Sequence, residues 1–150
     1  WSARGFSIPH GRFLTSGGMG TMGYSIPAAV GAKLAAPNRQ VIAVCGDGSF
    51  QMQMMELATI RGNDIPVKIM VMNNGRLGMV RELQDKKYGG NKTAVFLDGN
   101  PDFVKLAESY AIRSRRITRD ENIDEAVREM LASPEPYLLE CAVSPEEATL

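Results

Sequence analysis

Two short segments carry residue types that do chemistry when they are brought together. Gly46-Asp47-Gly48-Ser49 follows directly on the apolar run 40–45, and a helix signal begins near Phe50. Glycines at a strand-to-helix turn let backbone N–H groups approach a phosphate, whose charge the helix dipole favours. An aspartate inside such a turn would repel that phosphate unless a cation lay between them. Asp47 is therefore a natural Mg²⁺ ligand, since Mg²⁺ takes one or two protein oxygens together with phosphate oxygens and water. The plain alternative for these four residues is an ordinary Asp-Gly turn. The second segment, Asn73-Asn74-Gly75, ends the next apolar run, 66–72. Residues 49 to 72 make 24 positions between the two segments, enough for a turn, one helix and one strand. Adjacent parallel strands deliver their carboxyl ends to one edge, where ligands bind, so Asp47 and Asn74 can converge on one ion.

Holding them there requires strands alternating with helices. Runs 40–45, 66–72 and 136–143 are short, apolar and bounded by Gly or Pro, the pattern of strands buried on both faces. Phe50, Met54, Leu57 and Ala58 share a helical face, as do Phe103, Leu106, Ala107 and Tyr110. Asn100-Pro101-Asp102 reads as the start of the second of these helices, with Asn100 as its cap. A last helix carries Ile123, Ala126, Val127, Met130 and Leu131, with Asn122 and Glu125 in capping-box spacing. The alternation predicts an α/β fold, three-layered, with a mainly parallel sheet and helices on both faces. Residues 86–99 are the least regular stretch, and 89–92 is the expected mobile turn. The cluster Arg113-Ser114-Arg115-Arg116-Ile117-Thr118-Arg119 reads as a solvated face or a subunit contact, with phosphate binding as the lesser option.

A further glycine segment, 15–23, precedes a helix of small residues. Gly18-x-Gly20-x-x-Gly23 matches the dinucleotide fingerprint literally. Its context is poor: the strand before it is at best the short run 12–15, and no acid stands about 20 residues downstream for a ribose hydroxyl. A nucleotide-binding Rossmann domain and a non-catalytic interaction module are the rival readings from other classes.

Gly46-Asp47-Gly48 followed by Asn73-Asn74 resembles the thiamine diphosphate motif, and the wider match is to the acetolactate synthase large subunit family. The resemblance spans essentially all 150 residues as that family's C-terminal, diphosphate-binding domain, and is carried most specifically by 15–23, by Gly46 to Phe50 with Glu56-Leu57-Ala58-Thr59, and by Asn73-Asn74 through Leu77-Gly78-Met79-Val80; Asn100-Pro101-Asp102-Phe103 and Leu106-Ala107 also follow the pattern. It implies Asp47, the Asn74 side chain and the Arg76 carbonyl on Mg²⁺, and Gly46, Gly48 and Ser49 about the diphosphate. It also implies Met22 as the apolar wedge that bends thiamine diphosphate, and the Gly20 carbonyl as an acceptor for its aminopyrimidine. Met79, Val80 and Leu83 would line the substrate pocket; Leu83 stands where the family often has tryptophan. Nine methionines in the chain make core packing the alternative for Met22 and Met79.

The implied activity is a carboligase (a transferase) that decarboxylates pyruvate and joins the product to a second 2-oxo acid, toward branched-chain amino acids. Another thiamine diphosphate-dependent 2-oxo-acid decarboxylase or oxidase is the alternative within the class. No catalytic residue is expected within these residues: the activating glutamate belongs to a separate domain, normally of a neighbouring subunit, and Glu56 and Glu82 read as structural. The resemblance leaves room for FAD in a middle domain, for a homodimer or larger assembly, and for a regulatory small subunit. The chain opens on Trp1 without an initiator Met, which suggests a single domain of a longer protein, inactive alone.

Composition sets the outer bounds. Hydrophobic residues are 44% and charged residues 23%, the ordinary globular mix. Seventeen basic residues balance seventeen acidic ones, which argues against a nucleic-acid or anionic-membrane partner. No apolar run approaches the length of a membrane span. Cys45 and Cys141 read as reduced, buried hydrophobes of a cytoplasmic protein, and His10 as a loop residue.

Overall fold

The computed structural model describes residues 11–118 and 123–146. Four parallel strands make one sheet in the order β1-β2-β4-β3: β1 (Ile42–Gly46), β2 (Lys68–Asn73), β3 (Arg113–Ile117) and β4 (Tyr137–Ala142). Gly46 lies opposite Met72, and Met72 opposite Cys141. This register brings the carboxyl ends of β1, β2 and β4 level, so Asp47 and Asn74, the residues just beyond β1 and β2, leave the sheet at the same edge. β4 sits inside the sheet and is buried from Tyr137 to Cys141, as a strand covered on both faces must be.

Among the described residues six helices flank the strands: α1 (Ser25–Ala35), α2 (Asp47–Gln51), α3 (Glu56–Gly62), α4 (Gly78–Lys87), α5 (Phe103–Ser109) and α6 (Ile123–Ala132). Ile26, Ala29 and Val30 of α1, Phe50 of α2, Leu57 and Ile60 of α3, and Phe103 and Ala107 of α5 pack with Ala43, Ile69, Val71 and Leu138 on one face of the sheet. Phe50 and Phe103 meet edge to face at 5.3 Å. On the other face Ala126 and Met130 of α6 pack with Ile117, Tyr137, Leu139 and Cys141. The expected α/β architecture, a parallel sheet with helices on both faces, is therefore present. Among the described residues no helix is long and apolar enough to cross a membrane.

Several expectations need correction. Residues 12–15 form no strand, so the first glycine segment lacks the support of a dinucleotide fold. The helix expected from Phe50 starts at Asp47 and breaks at 52–55 before resuming as α3; in consequence Met54 and Ala58 are exposed, and Ile60 takes the core position instead. Asn100 does not cap α5. Asp102 does, its carboxylate accepting from the Val104 and Lys105 backbone N–H groups. The cluster at 113–117 forms the edge strand β3, with Arg113 and Arg116 exposed; Arg113 and Arg115 pair with Glu129 and Arg116 with Glu140 and Asp102. Charged side chains blunt an edge strand against further pairing. That is why it lacks an apolar signature. His10, Arg119 and Asn122 lie outside the described residues.

Candidate metal and phosphate site

Gly46 ends β1 in extended conformation and Asp47 is the first residue of α2. Its side chain is only 1% exposed, so Asp47 is a buried carboxylate and not a residue at a loop edge. Oδ2 accepts from the Gly75 backbone N–H at 3.0 Å and from Asn100 Nδ2 at 2.7 Å. Gly75 has φ +64°, the left-handed region that glycine enters freely. This turn aims its N–H at Asp47 and ties the two motif segments together. Among the described residues no hydrogen bond reaches Asp47 Oδ1.

Asn74 Oδ1 accepts from the Arg76 N–H at 3.0 Å, an Asx turn, and an amide oxygen has a second lone pair to offer. Arg76 is bridged to Phe96 in antiparallel fashion. The flanking bonds run from the Leu77 N–H to the Val95 carbonyl and from the Leu97 N–H to the Gly75 carbonyl, both at 2.9 Å. Arg76 thus occupies the non-hydrogen-bonded position of the ladder, where N–H and C=O both face away from the partner segment. Its N–H is on Asn74, and its carbonyl accepts none of the described hydrogen bonds. The guanidinium lies 4.4 Å from the Phe96 ring centre and 4.0 Å from Asp98, groups that answer its charge. The bridge also pins the irregular segment 86–99, as do the paired bonds between the Gln84 amide and the Thr93 backbone, both 3.0 Å.

The first glycine segment docks onto the second through Ser49 Oγ, which accepts from the Gly23 N–H at 2.9 Å. Three apolar side chains converge on Gly48: a Cβ there would stand 2.7 Å from Leu77 Cδ2, 3.2 Å from Leu97 Cδ1 and 3.4 Å from Met22 Cε. Around Gly46 the same construction meets open space. Gly20, at φ +61°, donates its N–H to the Ser16 carbonyl at 2.8 Å. Met22 is 37% exposed and Met79 is 73% exposed, so neither is core filler. Met79, Val80 and Leu83 share the exposed surface of α4, whose first residue, Gly78, would bring a Cβ to 3.4 Å from Asn74 Nδ2.

These donors fit a hard divalent cation. Among the described residues no cluster of three or more His, Cys, Asp or Glu side chains exists; the edge offers one carboxylate oxygen, one amide oxygen and one backbone carbonyl. An all-oxygen set with half an octahedron left for phosphate and water suits Mg²⁺ and not Zn²⁺. Cys45 offers no thiolate, because burial and the Asp47 charge push it up to about 12.

Behind the edge runs a polar chain that the motif reading missed. Asn73 Oδ1 accepts from the Gly75 N–H at 3.1 Å and from Asn100 Nδ2 at 3.3 Å, while its Nδ2 donates to Glu140 Oε1 at 2.8 Å. Glu140 Oε2 accepts from Arg116 Nε at 2.8 Å, and Arg116 donates onward to Asp102 at 3.0 Å. The signal was available: Glu140 is the one charge inside the apolar run 136–143. Asn100 gave no distinct signal, since Asn before Pro-Asp also reads as a helix start.

The model of the thiamine pyrophosphate enzyme, C-terminal TPP-binding domain, matches residues 1–141. The chain belongs to this family. It is 48% identical over 149 residues to a probable acetolactate synthase large subunit of Methanocaldococcus jannaschii, covering 99% of this chain and 25% of the relative. It is 42% identical over 146 residues to the acetolactate synthase isozyme 2 large subunit of Escherichia coli K12, covering 95% and 26%. A solved thiamine diphosphate-dependent 4-hydroxybenzoylformate decarboxylase of Rhodococcus jostii RHA1 superposes with a TM-score of 0.77 at 36% identity, over 85% of this chain and 24% of that one. The TPP-binding domain thus spans about a quarter of the length of the relatives it matches. It is a TPP-binding domain of the kind found at the C-terminal end of acetolactate synthase large subunits.

Proposed function

We propose that this TPP-binding domain forms the diphosphate and Mg²⁺ half of the active site of a carboligase, which decarboxylates pyruvate and transfers the resulting two-carbon unit to a second 2-oxo acid. The observation that carries the reading is the junction of Asp47 and Asn74 across the Gly75 hydrogen bond, in a chain 48% identical to an acetolactate synthase large subunit. Asp47 Oδ1, Asn74 Oδ1 and the Arg76 carbonyl hold Mg²⁺. The N–H groups at the start of α2, with the Ser49 hydroxyl as a further donor, receive the diphosphate, and the open space at Gly46 lets it approach. Thiamine diphosphate, once bound, supplies the electron sink that 2-oxo-acid decarboxylation requires. Met22, held beside Gly48, sets its conformation, and Met79, Val80 and Leu83 form an apolar surface toward the substrate that excludes water. The activating glutamate, any FAD, a second subunit and a regulatory partner belong to segments outside these residues. Two free, buried cysteines are in keeping with a cytoplasmic protein.

A simple 2-oxo-acid decarboxylase is the second reading, favoured by the superposition on a decarboxylase and by Leu83 in place of a bulkier residue. Product analysis separates the two. The full chain given pyruvate, thiamine diphosphate and Mg²⁺ forms acetolactate if it is a carboligase and acetaldehyde if it is not. Residues 1–150 alone are expected to give neither, and acetolactate from this domain alone would place a complete pocket within it.

A further inference from the structure

Resting on the reading of Asp47 as the metal carboxylate, we infer that Asn100 is a positioning residue for the metal: it holds Asp47 with Oδ2 occupied and Oδ1 turned to the cation. Asn100 lies 53 residues from Asp47 in sequence, just before α5. An ionised carboxylate only accepts hydrogen bonds, so the Asn100 atom 2.7 Å from Asp47 Oδ2 must be its nitrogen. The other end of the amide is consistent with this: Gln51 Nε2 donates to Asn100 Oδ1 at 2.7 Å. The same Nδ2 group reaches Asn73 Oδ1 at 3.3 Å, and Asn73 cannot turn over, because its own nitrogen is held by Glu140. Each amide in the set therefore has one permitted orientation. With the Gly75 N–H and Asn100 both on Oδ2, rotating the carboxylate would break two hydrogen bonds, one at a charge-assisted 2.7 Å. Residues that orient a metal ligand from behind are typically worth 10–100-fold in metal affinity. Asn100 meets that description and is distinct from the three ligating groups.

The test uses the full chain with excess thiamine diphosphate and Mn²⁺ as the probe, followed by electron paramagnetic resonance. Asn100→Ala is expected to weaken Mn²⁺ by about 10–100-fold and to shrink the rise in thermal midpoint that saturating Mn²⁺ gives the wild type. A role in folding alone would lower the midpoints with and without metal equally and leave Mn²⁺ affinity untouched; that result overturns the assignment. Gln51→Leu leaves every group that touches Asp47 in place and removes only the donor that steadies the far end of the Asn100 amide. It is expected to weaken Mn²⁺ several-fold, and it decides the matter if Asn100→Ala does not fold: unchanged binding in Gln51→Leu then counts against the proposal. Asp47→Ala, run alongside, separates the two levels. If it keeps wild-type Mn²⁺ affinity the metal reading itself fails; if it loses Mn²⁺ while Asn100→Ala does not, only the positioning role fails.

Discussion

Three glycines at the site edge are needed for three different physical reasons, and alanine distinguishes them. Gly46 has φ −75° and open space where a Cβ would go. Gly46→Ala therefore costs the fold nothing and, by restricting the unfolded chain, should stabilise it by about 0.4 to 1 kcal/mol. Gly48 lies inside α2, where alanine gains about 0.5 to 1 kcal/mol of helix propensity. Against that, its Cβ meets Leu77 Cδ2 at 2.7 Å. Carbon pairs sit comfortably at about 3.5 to 4.0 Å, so Leu77 must retreat by roughly 1 Å, with Leu97 Cδ1 and Met22 Cε also close, at a typical cost of about 1 to 3 kcal/mol. The net effect of Gly48→Ala is a loss of about 1 kcal/mol. Gly75 meets no crowding but has φ +64°, so Gly75→Ala costs about 1 to 2 kcal/mol, and Gly75→Asn, which tolerates that region, recovers part of it. Thermal midpoints of the full-length variants should rank Gly46→Ala at or above wild type, with Gly48→Ala and Gly75→Ala below. Thiamine diphosphate titrations should show Gly46→Ala weakened nonetheless, because its methyl enters the open space proposed for the diphosphate. A Gly46→Ala protein that is destabilised as much as Gly48→Ala, or that binds the cofactor like wild type, would refute this division of roles.

Other consequences are simpler to check. Met22→Leu should preserve turnover, whereas Met22→Ala should lower kcat more than cofactor affinity, since the diphosphate end is anchored separately; a loss of thermal stability alone would return Met22 to a packing role. Burial, with Asp47, pushes the Cys45 thiol up to about 12, and burial, with Glu140, pushes Cys141 to about 11. A thiol with a raised folded value stabilises fully below its unfolded value of 9 and loses that contribution as pH climbs through the folded one. The native protein should therefore resist a thiol reagent at pH 8 while the denatured chain reacts at both sites, and urea midpoints should fall between pH 9 and 12; rapid native labelling would contradict the burial. Asp102 is held low by the Lys105 backbone N–H, then by the Arg116 charge. The stability it lends is present above about pH 4 and lost as pH falls through its folded value, so the midpoint deficit of Asp102→Asn should be clear at pH 7 and vanish toward pH 2; a deficit independent of pH would mean that the carboxylate charge is not what caps α5.

The sequence made Asp47 and Asn74 legible as candidates because they follow apolar runs at strand ends, where composition changes abruptly. Cys45-Gly46-Asp47 and Met72-Asn73-Asn74 mark such borders, and the parallel sheet follows from the strand–helix alternation between them. What supports the ligands was harder to see. β3 holds three arginines in five residues, two of them adjacent, and its identity depends on pairing with β4 and on glutamates of α6, which are contacts distant in sequence. Asn100 looked like a helix cap because local chemistry allows that role; the carboxylate that claims it instead is 53 residues away. The exposure of Met22 and Met79 was also out of reach, since methionine packs cores and lines binding surfaces equally well.

The central claim is that one divalent cation sits between the Gly46–Ser49 turn and the Asn74–Arg76 turn. Anomalous diffraction from crystals of the full chain grown with thiamine diphosphate and Mn²⁺ tests it most directly. The account predicts a peak about 2.1 Å from Asp47 Oδ1, Asn74 Oδ1 and the Arg76 carbonyl oxygen, with diphosphate oxygens completing the shell. Bound cofactor with no peak there, or a peak coordinated by other side chains, would contradict it.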